Sequence, residues 1–78
     1  MYKGDVVECI SRWVGCNADM LESSDNLADD LGLDSIDIVE IGMEVEDVFS
    51  IHIEDPEIGR WKTVQDVVNS VIKQLEEV

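Results

Sequence analysis

The stretch LGLDSIDIVEIGMEVEDVF, Leu31–Phe49, holds one hydroxyl, that of Ser35, among six carboxylates and no basic residue. From Ile36 onward its apolar residues recur at helical spacing, about 100° per residue. Ile38, Ile41, Val45, Val48 and Phe49 gather on one side, with Gly42 at its margin. The spacing predicts a helix from Ser35 to about Ser50 with that side facing a core. The opposite side carries Ile36, Val39 and Met43 beside Glu40, Glu46 and Asp47, with Asp37 and Glu44 at its edge. A helix apolar on both sides is ordinarily buried on both, and a chain of 78 residues is too short to cover both. The outer side therefore reads as a docking face. Apolar anchors supply contact area there, and the acids steer toward a basic patch and reject other partners.

Two further helices flank this one. The first is predicted from about Lys3 to Val14, with Val6, Val7, Ile10, Trp13 and Val14 on its buried face and Gly15 as a stop. Between Cys16 and Asp34 the chain is dense in Ser, Asn and Asp, which favour turns, and it reads as a long irregular loop. Met20, Leu21, Leu27, Leu31 and Leu33 are expected to pin that loop to the core. Asp55-Pro56 can open a short helix from Pro56 to about Gly59, because proline suits the first helical position. A last helix begins at Thr63, with Asp66 three residues on as a variant of the capping box. Val64, Val67, Val68, Val71, Leu75 and Val78 mark its buried face. The expected fold class is all-α, one small domain over residues 1–78 with three long helices and one short third helix.

Nineteen acids face five bases, a net charge of −14. Such a field repels nucleic acid and anionic membrane surfaces and attracts proteins with basic patches. Cys9 and Cys16 would stand about 10 Å apart on one helix, too far for a disulfide within it. With no CxxC pair and His52 as the one histidine, no metal site is expected. The opening MYKGDVVECI lacks the apolar stretch of a signal peptide, and no segment is long enough to span a membrane. A cytoplasmic monomer is the expectation.

Three roles stand open for Ser35. A nucleophile needs a base within hydrogen-bond reach, and His52 lies beyond the far end of the predicted helix. A helix N-cap is a frequent role for serine, although Asp34, with Asp37 three residues later, could equally cap. A phosphate-linked modification suits the free N–H groups at a helix start, against the repulsion of neighbouring acids. Composition and spacing leave a modified serine, a cap and a docking helix together.

The stretch LADDLGLDSIDIVEIGMEVEDVFSIHI resembles the acyl carrier protein family. The likeness runs from the first helix through the acidic loop and the DDLGLDS approach to the TVQDVV last helix. It implies a small four-helix bundle with no catalytic residues of its own. It also implies that Ser35, in Asp34-Ser35-Ile36, carries a covalent 4'-phosphopantetheine, set there from coenzyme A by a separate phosphopantetheinyl transferase. The thiol of that arm holds acyl groups as thioesters and presents them to synthases, acyltransferases or ligases. By position, Asp34 and Ile36 flank the attachment site, and Ile36, Asp37, Val39, Glu40, Met43, Glu46 and Asp47 resemble the family's partner surface. Ile53 and the start of the third helix resemble the part that closes the bundle over the acyl chain. Ile36 in place of the family's leucine, Gly42, Glu44 and PEIGRWKT depart from the fatty-acid carriers. The Arg60-Trp61 step is similar to D-alanyl and other specialised carriers. Fatty or specialised acyl cargo is the leading expectation; the alternatives are an aminoacyl, D-alanyl or peptidyl carrier, and an unmodified acidic docking protein.

Overall fold

The computed structural model describes residues 2–76; Val78, expected on the buried face of the last helix, lies outside them. Among the described residues the helices are α1 (Tyr2–Val14), α2 (Ser35–Phe49), α3 (Asp55–Ile58) and α4 (Val64–Glu76), with one 3-10 turn at Ala18–Met20. Among the described residues there is no strand, only one antiparallel bridge between Asn26 and Thr63. α1 packs on both α2 and α4, and α3 leans on α2.

The core is built from the apolar stripe of each helix: Val6, Cys9 and Ile10, then Ile41 and Val45, then Val64, Val67, Val68 and Val71. Ile53, Ile58 and Trp61 close it from the segment between α2 and α4. α1 ends where expected, because Gly15 takes a left-handed φ of 86° that costs glycine nothing. Its N–H there donates to the Ser11 carbonyl at 2.8 Å. Trp13 shares the stripe but stands exposed in the last turn, since a ring this large is seldom fully covered at a helix end.

Two other residues depart from the reading of the apolar pattern. Val48, expected in the core, is 51% exposed. The buried residues of α2 are Ile41, Gly42 and Val45. At about 100° per residue Val48 lies about 120° around the helix from Gly42. The covered arc is thus turned toward the glycine, where Ile58 and Trp61 approach the backbone closely. Met20, expected to pin the long loop, is 71% exposed, in a 3-10 turn that buries no residue.

The long loop itself is ordered by its own polar side chains. The Asn26 amide oxygen accepts the N–H groups of Ala28 and Asp29, and the Asp30 carboxylate accepts that of Asn26. Backbone bonds then tie the loop to the start of α4: Leu27 N–H to the Lys62 carbonyl at 2.8 Å, and Val64 N–H to that of Asp25 at 3.1 Å. Leu27 and Leu33 are buried, and Leu21 and Leu31 pack at the core's margin. α4 opens on the expected cap. Asp66 accepts from the N–H groups of Lys62 and Thr63 at 2.8 and 3.0 Å, and its own N–H donates to the Thr63 hydroxyl. These backbone bonds, Lys62 first, hold the Asp66 carboxyl below its ordinary pKa.

Candidate functional site

Buried Leu33 anchors the entry to α2, and Asp34 then takes extended backbone as its N-cap. One Asp34 carboxylate oxygen accepts the N–H of Asp37 at 2.9 Å. The Asp37 carboxylate accepts the N–H of Asp34 at 3.1 Å, which completes a capping box. The cap is therefore made by the two aspartates and not by the serine between them. Ser35 is the first residue of α2, its side chain is exposed, and its hydroxyl makes no hydrogen bond among the described residues.

No base is placed to activate it. His52 follows the other end of α2, about 22 Å of helix away at about 1.5 Å per residue. Its ring is held between the carboxylates of Glu46 and Glu54, at 3.1 and 3.3 Å. Beside Ser35 lies a hollow of about 120 Å³ lined by Ser35, Ile38, Val39, Ile58, Gly59 and Trp61. Trp61, one of these lining residues, is buried, and its indole N–H donates to the buried Ser70 hydroxyl at 2.8 Å.

The outer face of α2 is arranged as its periodicity implies. Ile36, Val39 and Met43 are all exposed, with Glu40 and Asp47 exposed beside them. Two of the expected surface acids do structural work as well. Asp37 is half-buried and committed to the cap. Glu46 turns back to accept the Ile53 N–H at 2.7 Å and to pair with His52, which fastens the segment between α2 and α3. Glu44, at the edge, faces α1 and stands 3.7 Å from the Arg12 guanidinium. Burial pushes the Cys9 thiol above its ordinary pKa, a shift that Arg12 only partly opposes. Among the described residues no group of three or more His, Cys, Asp or Glu could hold a metal, and no helix is long and apolar enough to cross a membrane.

The hollow is the part of the site that residue patterns did not reach. Ile58 and Trp61 entered the sequence reading only within the departing PEIGRWKT stretch, and Ser70 did not stand out. The one available signal was Ser70 itself, a polar residue on the stripe that Val67 and Val71 mark as buried.

A capped helix that leaves its first serine free beside an apolar hollow matches a known architecture. The profile of the family described as "Phosphopantetheine attachment site" matches residues 4–71. The acyl carrier protein of Chlorobium phaeobacteroides is 35% identical over 72 residues, 92% of each chain. That of Bdellovibrio bacteriovorus is 38% identical over 69 residues, 88% of each. The crystal structure of the acyl carrier protein from Thermotoga maritima superposes with a TM-score of 0.83 at 34% identity, covering 99% of this chain and 94% of that one.

The chain belongs to the phosphopantetheine-attachment family. Within it, this is a non-catalytic carrier that holds acyl groups as thioesters on a covalent 4'-phosphopantetheine arm. Carriers of this kind work with phosphopantetheinyl transferases and acyl-handling enzymes. The residues at the start of α2 fit such a group: a free, exposed hydroxyl to bear it and an apolar recess beside it.

Proposed function

We propose that Ser35 is the attachment point, flanked by Asp34 and Ile36, and that residues 1–78 act as one carrier unit. The observation that carries this reading is the free Ser35 hydroxyl, released from capping by the reciprocal Asp34–Asp37 bonds. In the transfer, the Ser35 oxygen forms a bond to phosphorus and the diphosphate of coenzyme A breaks. Adenosine 3',5'-bisphosphate leaves, and the hydroxyl proton passes to a base of the transferase. The chain's own contribution is to hold the hydroxyl outward on a rigid helix start.

Ile36, Val39 and Met43 form the apolar part of the docking surface, and Glu40 and Asp47 supply its exposed charge. Asp37 and Glu46 add charge at its border while holding the cap and the segment after α2. The partners are the transferase and acyl-handling enzymes with basic patches, met by a cytoplasmic monomer. Acyl cargo is favoured over aminoacyl cargo by kinship with acyl carrier proteins.

Intact mass decides the attachment point. Incubation with coenzyme A and a broad-specificity transferase should add one phosphopantetheinyl group to the wild type and none to Ser35→Ala. A modified alanine variant, or a wild type left unmodified by several transferases, overturns the reading.

A further inference from the structure

His52 takes no part at Ser35, yet it is the one histidine of the chain and both of its ring nitrogens are engaged. Nδ1 stands 3.1 Å from Glu46 Oε2, on α2, and Nε2 stands 3.3 Å from Glu54 Oε1, just ahead of α3. The two carboxylates thus reach the ring from different elements, and among the described residues no lysine or arginine pairs with either. A neutral imidazole carries one N–H, so one of its nitrogens would turn a lone pair toward a carboxylate that has only lone pairs to offer. The imidazolium carries two N–H groups and meets both carboxylates.

Glu46 Oε2 has a second duty. The same oxygen accepts the N–H of Ile53 at 2.7 Å, and Ile53 is 1% exposed. The ring therefore pairs with the very atom that holds the backbone of the α2–α3 connection where it enters the core. The His52 side chain is 74% exposed, so its proton exchanges freely with solvent. Imidazole is the side chain that changes charge between about pH 5 and 8, while carboxylates stay ionised over that span.

We propose that His52 is a pH-sensitive latch on the α2–α3 connection. As imidazolium it bridges Glu46 to Glu54 and steadies the oxygen that holds Ile53. As pH rises its proton passes to solvent, one of the two pairings is lost, and the connection loosens. The stabilisation belongs to the charged ring, so it is present at the acid end of this span and lost at the alkaline end.

The test compares the unmodified full chain with His52→Gln at low salt, at pH 5.5 and pH 8.5, by melting temperature and by hydrogen exchange of the Ile53 amide. At pH 5.5 His52→Gln should melt about 2–4 °C below the wild type, the shift expected when exposed ion pairs are lost from a domain of this size. Its Ile53 amide should also exchange faster than that of the wild type. At pH 8.5 both differences should close. Groups elsewhere that titrate in this span are common to the two proteins and cancel in the comparison. Glu54→Gln removes one end of the bridge, so in that background His52→Gln should cost less at pH 5.5. Salt of about 0.15 M should shrink the pH 5.5 gap by screening. A gap of equal size at both pH values, or no gap at pH 5.5, overturns the latch. The same loss from His52→Gln with and without the Glu54 charge overturns the bridge. Neither result touches the attachment reading, because the latch is measured on a chain that carries no arm.

Discussion

At the scale of single residues, Asp34 and Ser35 divide two jobs that either could have done. Asp34 caps, so Ser35 keeps its hydroxyl, and the two should separate cleanly on substitution. Ser35→Ala removes no hydrogen bond from the folded state, so its denaturant midpoint should stay within about 0.5 kcal/mol of the wild type. Asp34→Ala loses half of the capping box and should cost about 1 kcal/mol. Equal losses from both substitutions would show that the serine shares the cap. Glu46 makes a similar point in reverse: its position on the outer side suggests a surface charge, yet its carboxylate spends itself on the Ile53 N–H.

At the scale of elements, α2 presents two faces with opposite duties. Ile41 is buried, and Ile41→Ala should cost about 2–5 kcal/mol as a core truncation, enough to threaten a fold of this size. Met43→Ala and Glu40→Lys, on the exposed side, should leave the denaturant midpoint nearly unchanged. Both should slow modification by the transferase, Glu40→Lys most at low salt, because it sets a positive charge against a basic patch. Loss of folding in Glu40→Lys would contradict the outer placement. The start of α4 carries a pH signature. The Asp66 carboxyl is held below its ordinary value by the Lys62 and Thr63 N–H groups, so its stabilisation is present above the unfolded pKa, near 3.8. That stabilisation is lost as pH falls through the depressed native value. Asp66→Ala should therefore cost about 1 kcal/mol at neutral pH, and the gap to the wild type should narrow in acid below about pH 4. A gap that stays constant to pH 2 would assign the loss to packing instead of charge.

At the scale of the whole molecule, a net charge of −14 is spread over 78 residues. Among the described residues one basic side chain other than histidine pairs with a carboxylate, Arg12 with Glu44 at 3.7 Å. Most of the acids thus repel one another without local compensation, and the field they make is what a basic partner meets at long range. Salt that screens charges beyond about 8–10 Å should raise the melting temperature as ionic strength goes from about 0.01 to 0.15 M, while slowing encounter with the transferase. A melting temperature flat over that range would mean the acids sit too far apart to matter for folding.

The sequence by itself placed the four helices, the Thr63–Asp66 cap, the Gly15 stop and the free outer face of α2. Each of these depends on residues within a turn or two of one another, where periodicity and three-residue spacings carry the signal. The same local pattern marked Ser35 as unusual but left its capping role open against Asp34. It also misplaced Val48, because an apolar residue on a helix edge is covered only if a neighbour reaches it. Tertiary structure decided the rest. Leu27 meets Lys62, Trp61 meets Ser70, and Ile58 comes to lie against Gly42. These pairs bring together segments that are separate in the chain, and their geometry follows from how the helices settle over the shared core. The depth of the hollow beside Ser35 is set by that settling, which no stretch of the sequence specifies alone.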